Sequence, residues 1–416
     1  MSNLSVEIIR GPEALAILRQ DWKVLFDSSS AAPFLAWEWA ATWHKWFGGE
    51  KTPYIVCVRE QQRLIGLLAL CEEEKRVMLF GPRVRKLSFL GQNFGAPDYL
   101  DILTLNGESQ RCANAIFKHL ADSGDFDLLE LESLSADSST LPTLSMRFGD
   151  STEFSYQIAP FCVCPQMTFD GDWEHVLGQT RRPDYFKYCM RRLGKIRGFE
   201  FRVVSDVDQI PNAFARFLEL HEGRWKDRGD SAATSSPALK GFMQDVALEF
   251  ARAGRLRFEE IWLEDKCCAS LLGIESGGGF HFYLSGFDQA WAKYSLGFVL
   301  VGLSIRDAVE RGLKYYDFLR GAENYKFDWA HKTRLTVNAH ITNNSQAARL
   351  SVAQAHAKEM TRALMPESIK VFRRRLRAKI AHVTGGKRLI DRDPQTAPDK
   401  ADIKELEESA VAVASR

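Results

Sequence analysis

What the sequence lacks narrows its reading first. No stretch of its 416 residues is long and apolar enough to span a bilayer. The opening MSNLSVEIIRGPE carries no apolar core of the signal-peptide kind, so a cytoplasmic protein is expected. Charge of one sign is missing too: Lys and Arg total 55 against 54 Asp and Glu, and a net charge of +1 gives no global field for nucleic acid or membrane. Eight cysteines are scattered. Only Cys162/Cys164 and Cys267/Cys268 are close, without C-x-x-C spacing or a histidine cluster. Reduced, buried thiols and no metal are therefore expected.

What remains is an ordinary globular balance, 45% hydrophobic and 26% charged, and at this length it suggests two domains. The expected boundaries are 1–160 and 161–345, then a helical extension 346–390 and a disordered tail 391–416 rich in Pro, Asp, Lys and Glu. Arg373-Arg374-Arg375 and Arg377 in the extension are read as a solvated helix end, or as a weak contact with anionic lipid or a partner complex.

In the first half, a strand Val6 to Arg10 precedes a helix Pro12 to Asp27. In FLAWEWAATWHKWFG the four tryptophans Trp37, Trp39, Trp43 and Trp46 cannot share one helical face. The run reads as a heavily buried helix, with a ligand-stacking platform as the alternative. Strands follow at Tyr54 to Arg59, Arg63 to Glu72, Leu87 to Leu90, Tyr99 to Leu103 and Asp127 to Leu131, with a helix Ser109 to Ser123 before the last. Asp98-Tyr99-Leu100-Asp101 is also a polar loop, either lining a shared cleft or making a simple turn.

The second half opens on a basic segment, Arg181 to Gly198, whose Arg181, Arg182, Lys187, Arg191, Arg192, Lys195 and Arg197 surround Tyr185, Phe186 and Tyr188. It reads as a solvated helix face, or as a basic lip for an anion. A helix from Pro211 ends in His221, Arg224 and Trp225, with His221 and Trp225 on one face. His221 is either structural or a general base titrating near neutrality. After a helix from Pro237 and a hairpin around Glu264-Asp265-Lys266, Gly277-Gly278-Gly279 makes a turn.

The organising stretch runs from Phe280 to Trp329 as strand, loop, helix and strand. Ser295 stands at the N-cap position of a helix Gly297 to Gly312, and Tyr315 to Leu319 forms the next strand. A helix N-terminus after a strand is a ready site for an anion, though an ordinary crossover has the same form. Leu335 to Thr342 then closes the sheet.

Ser285-Gly286-Phe287-Asp288, Tyr294-Ser295-Leu296-Gly297 and Asp317-Phe318-x-x-Gly321-x-x-x-Tyr325-Lys326-x-x-Trp329 resemble the GNAT-type acyltransferases of the BioF2-like group. These are the CelD/BcsL acetyltransferases of cellulose or exopolysaccharide biosynthesis. Leu296 stands where that family usually has proline. The resemblance implies an α/β (α+β GNAT-like) fold with two tandem GNAT-like domains, each a mixed, mostly antiparallel sheet flanked by helices, plus a C-terminal helical tail. It also implies acetyl-CoA or another acyl-CoA as co-substrate and a sugar or envelope precursor as acceptor.

On that resemblance the catalytic candidates are Asp317 as base or acceptor-orienting group, Lys326 for the pyrophosphate or oxyanion, and His221. Cofactor contacts fall to Leu284, Gly286, Tyr294, Ser295, Gly297 and Phe298, and acceptor contacts to Tyr283, Arg224, Trp225, Gly321, Tyr325 and Trp329. Two further readings remain. One is a Fem-like aminoacyl-tRNA-dependent ligase, which shares the tandem fold. The other is a catalytically silent GNAT-like module assisting polysaccharide synthesis.

Overall fold

The structure, a computed structural model, describes residues 4–77, 81–225 and 236–363. Residues 1–350 form one compact unit and 351–416 a second, of which only the later part of one helix is described. The basic cluster at 373–377 and the tail lie outside the described residues. Among the described residues no helix is long and apolar enough to cross a membrane.

The first half supplies strands β1 (Leu4–Arg10), β2 (Thr52–Glu60), β3 (Arg63–Arg76), β4 (Arg83–Phe89), β5 (Leu103–Thr104), β6 (Leu128–Ser135) and β7 (Phe154–Thr168). Its helices are α1 (Ala14–Asp27), α2 (Trp37–Phe47), α3 (Ser109–Ser123) and α4 (Thr140–Leu144). The second half runs α5 (Trp173–Gly178), α6 (Pro183–Leu193), β8 (Glu200–Val204), α7 (Ile210–Trp225), α8 (Pro237–Arg252), β9 (Leu256–Leu263), β10 (Lys266–Ser276) and β11 (Gly279–Phe287). It continues through α9 (Leu296–Glu310), β12 (Tyr315–Asp317), α10 (Asn324–Phe327) and β13 (Lys332–Asn343) to α11 (Gln346–Ala363).

Local chemistry accounts for several of these elements. The hairpins β2–β3 and β9–β10 turn on Gln61-Gln62 and Glu264-Asp265, all four with positive φ, the two-residue turn that matches strand twist. The α1 helix begins at Ala14 and not at Pro12, because Gly11 carries φ +102° and the chain is still turning there. It buries Leu15, Leu18, Trp22, Leu25 and Phe26 on one face.

All strands join one 13-stranded sheet in the order β1-β2-β3-β4-β6-β13-β7-β12-β11-β10-β9-β8, with β5 on β3. Most neighbours are antiparallel; β4–β6 and β11–β12 are parallel. The fold is thus mixed α/β with a large, mostly antiparallel sheet, as expected. Strand β13, expected as the strand that closes the sheet, lies inside it. It pairs with β6 of the first half on one side and along nearly the whole of β7 on the other. The long β7, which carries residue 160, thus lies between two strands of the second half, β13 and β12.

Helices join the halves as well. Trp39, fully buried on α2, meets the Phe242 ring of α8 edge-on at 5.1 Å, and Trp46 donates its indole N–H to Asp245 at 2.7 Å. The tryptophan run is therefore core and inter-half packing, the plainer of its two readings. All eight cysteines are free thiols, buried except for the half-buried Cys162.

Candidate active site

Gly277 and Gly278, both with positive φ, turn the chain from β10 into β11. Strand β11 then pairs in parallel with β12 through Gly279, Phe280 and His281 opposite Tyr315, Tyr316 and Asp317. There the two strands part: β12 ends at Asp317, while β11 continues to Phe287 on its β10 ladder. That ladder shifts register between Leu272 and Gly273, so Tyr283 is the extra residue of a bulge. Residues 282–287 consequently present one backbone edge to a cleft.

From the parted edge the chain passes through a short 3-10 turn, Gln289–Tyr294, into α9. Ser295 occupies the expected cap position, but in the left-handed region (φ 57°, ψ 40°) and with no side-chain cap. Its hydroxyl instead bonds the Tyr185 hydroxyl of the basic segment at 2.7 Å. The helix ends at Glu310, just before the left-handed Gly312. An added Cβ at Gly297 would stand 3.3 Å from the Phe287 ring, so the helix entry is tight.

The basic segment reaches the same place. The Arg182 guanidinium lies 4.0 Å from the Tyr185 ring centre, and Arg192 lies 4.8 Å from that of Tyr294 while donating to the Lys293 carbonyl at 3.1 Å. Phe298 lies half-buried between Tyr185 and Trp329. Cations thus flank a helix N-terminus whose first N–H groups have no acceptors within the helix, and both favour an anion there.

On the opposite face, α7 seats His221 over the parted end of β11. The Ser285 carbonyl can only accept, so His221 Nδ1 donates to it at 2.9 Å. A Cβ at Gly286 would meet the α7 backbone at His221 N, 2.4 Å away. Gly286 is therefore required for the contact between α7 and the sheet. Leu284 is half-buried on the same strand, and the Tyr283 hydroxyl donates to the Gly95 carbonyl of the first half. Arg224 and Trp225 fall in the last turn of α7, but their side chains lie outside the described residues.

Asp317 stands where the strands part, with no solvent exposure. Oδ1 accepts from Leu319 N at 2.8 Å, and Oδ2 from the Tyr99 hydroxyl at 3.0 Å and Gln166 Nε2 at 3.3 Å. Burial pushes its carboxyl up to about 7, against the lowering effect of these bonds and of Arg334. Tyr99 comes from the stretch expected as strand Tyr99 to Leu103. With φ 59° it cannot continue a strand, and the segment is the polar loop instead, followed only by the short β5. Next to it, fully buried Asp98 accepts from Arg320 N at 2.8 Å and Arg320 Nε at 2.9 Å. The loop is thus more than a plain turn: Asp98 and Tyr99 bond it to the second half. Nothing local marks Arg320 as the partner of a loop 222 positions away, or Gln166 as the partner of Asp317, 151 positions on.

Lys326 requires a correction. Its ammonium, almost fully buried, donates to the carbonyls of Arg320 at 2.6 Å and Gly321 at 3.2 Å and pairs with Glu323 at 2.9 Å. It ties the 319–323 turn together, and its donors are spent on backbone. Gly321, at φ 108° and donating to the Val163 carbonyl, belongs to that turn. Trp329 is 1% exposed between Phe298 and Phe186, which makes it core and not an acceptor contact. Tyr325 is half-buried on α10.

Residues 180–327 match the model of the acetyltransferase (GNAT) domain. No curated protein matches the chain. Among solved structures, FemX superposes with a TM-score of 0.53 at 11% identity, over 77% of this chain and 95% of that one. A conserved protein of unknown function from Bacteroides thetaiotaomicron VPI-5482 gives a TM-score of 0.50 at 9% identity, over 79% and 97%. At such identities the likeness is one of fold alone.

Proposed function

We propose that the chain is a GNAT-type acyltransferase, built from two GNAT-like units at 1–160 and 161–345, that uses an acyl-CoA such as acetyl-CoA. The acceptor is an amine or hydroxyl on a sugar or cell-envelope precursor, of the exopolysaccharide type. One observation carries this reading: the parallel pair β11–β12 parts after His281 and Asp317, and β11 runs on unpaired by β12 toward the basic-flanked entry of α9. An extended thioester arm suits the free edge of residues 282–287, and its phosphates suit the helix entry.

The chemistry is direct transfer. The acceptor heteroatom attacks the thioester carbonyl, its proton passes to a base, and the thiolate leaves with the electron pair of the cleaved C–S bond. Backbone N–H groups of the parted β11 edge stabilise the oxyanion. Asp317, held near 7, is poised to take or steer the proton. His221, whose Nδ1 donates to the Ser285 carbonyl of the same strand, is the second candidate.

The fold likeness to FemX over 95% of that chain favours one competitor, a ligase that draws its acyl group from charged tRNA. A thermal-shift screen separates the two readings: acetyl-CoA or a longer acyl-CoA should raise the melting temperature, and charged tRNA should not. A shift with charged tRNA alone would replace the proposal by its competitor.

A further inference from the structure

The first half reaches into the candidate site through two adjacent residues. Tyr99 holds φ 59° and Leu319 φ 55°, both left-handed. For bulky residues each such conformation costs about 1–3 kcal/mol and persists only where the surroundings impose it. The surroundings here are bonds between the halves: Arg320 to Asp98, and the Tyr99 hydroxyl to Asp317. Tyr99 is 4% exposed, and Arg334 caps its ring at 4.3 Å. Burial drives the phenol far above its usual range, so it remains a neutral donor.

We infer that Tyr99 is a positioning residue for Asp317: the first half supplies the hydroxyl that orients this carboxylate where β11 and β12 part and stabilises its ionised form. The catalytic use of Asp317 rests on the acyl-transfer proposal; the hydrogen bond and its effect do not. The Leu319 N–H fixes one carboxylate oxygen and the Tyr99 O–H the other, which sets the plane of the group.

The groups around Asp317 come from several elements. Asp98 and Tyr99 lie on the loop, Cys164 and Gln166 on β7, Arg334 on β13, His281 on β11, Tyr315 on β12, and Arg320 just beyond it. Asp98 raises the Asp317 carboxyl, while Arg334 and Tyr99 lower it, so loss of Tyr99 leaves burial less opposed. Cys164 and Tyr315 are themselves pushed up and stay neutral, and buried His281 is pushed down to about 4, so it is neutral as well.

The test reads the carboxyl itself, with no acyl donor present. The protonated-carboxyl infrared band of the full chain is titrated with pH, and Asp317→Asn supplies the difference spectrum that identifies it. Tyr99→Phe keeps the ring under Arg334 and removes only the donor. Its midpoint should rise by about one pH unit, tenfold in proton affinity. Should that variant not fold, 3-fluorotyrosine placed at position 99, a stronger donor of nearly the same shape, should lower the midpoint. An unchanged midpoint, or shifts of opposite sign, would overturn the assignment whatever the melting temperatures do. Acyl-CoA binding is measured separately, so either idea can fail without the other.

Discussion

Replacing Asp317 by asparagine removes a charge from a site with no solvent exposure while nearly preserving shape. The Asp317 carboxyl is raised from 3.8 to about 7. A group raised in the folded state gives stability that is fully present below its unfolded value and lost as pH climbs through the folded one. The shift of roughly 3 units corresponds to ~4 kcal/mol, of which ~3 kcal/mol should disappear between pH 5 and pH 8. The amide of the variant cannot ionise and loses none of it. Urea unfolding of the wild type and Asp317→Asn at several pH values gives the difference directly. Glu259, also raised to about 7, is present in both proteins and cancels in that difference. The variant should gain on the wild type by ~3 kcal/mol from pH 5 to pH 8. Parallel profiles would refute the reasoning, since they would mean that the carboxylate is solvated or compensated.

Glu259 gives an independent case: it is fully buried beside Arg257 and raised from 4.5 to about 7 by burial. By the same sign argument, Glu259→Gln should unfold at higher urea at pH 8, by up to ~3 kcal/mol, and show little gain at pH 4; equal gains at both would contradict a charge effect. Arg257 keeps Glu275 and Asp307 as partners, so the substitution strands no cation. Lys326→Met should lower stability by about 1–3 kcal/mol, because the Arg320 and Gly321 carbonyls lose their donor. A melting temperature within a degree of wild type would show that the turn does not depend on this lysine.

Much of the second half was legible in its sequence because its signals are local. Two helices between β8 and β9, the hairpin at Glu264-Asp265, the glycine turn into β11 and the apolar face of α9 all follow from neighbours within a few positions. The central place of β13 was not legible. Its pairing with both β6 and β7 is a long-range choice that alternation along one strand cannot express. The site divides in the same way. Asp317 stands out in its motif, but its partner Tyr99 lies 218 positions away, and the loop that carries it reads equally well as a plain turn. Lys326 and Trp329 share that motif with Asp317, yet one fixes backbone carbonyls and the other fills the core. A motif preserves spacing, and spacing serves folding as readily as chemistry.

The central claim is that an acyl-CoA lies along the parted edge of β11 with its phosphates at the entry of α9. Isothermal titration of acetyl-CoA into the wild type and into Gly297→Glu tests it most directly. The new Cβ meets only the Phe287 ring, which can shift, so the variant should fold normally. Its charge would stand where the phosphates are expected. The account predicts saturable binding to the wild type and a loss of at least about tenfold in the variant, a penalty of ~1.4 kcal/mol, at unchanged melting temperature. Equal affinity for both proteins would contradict it.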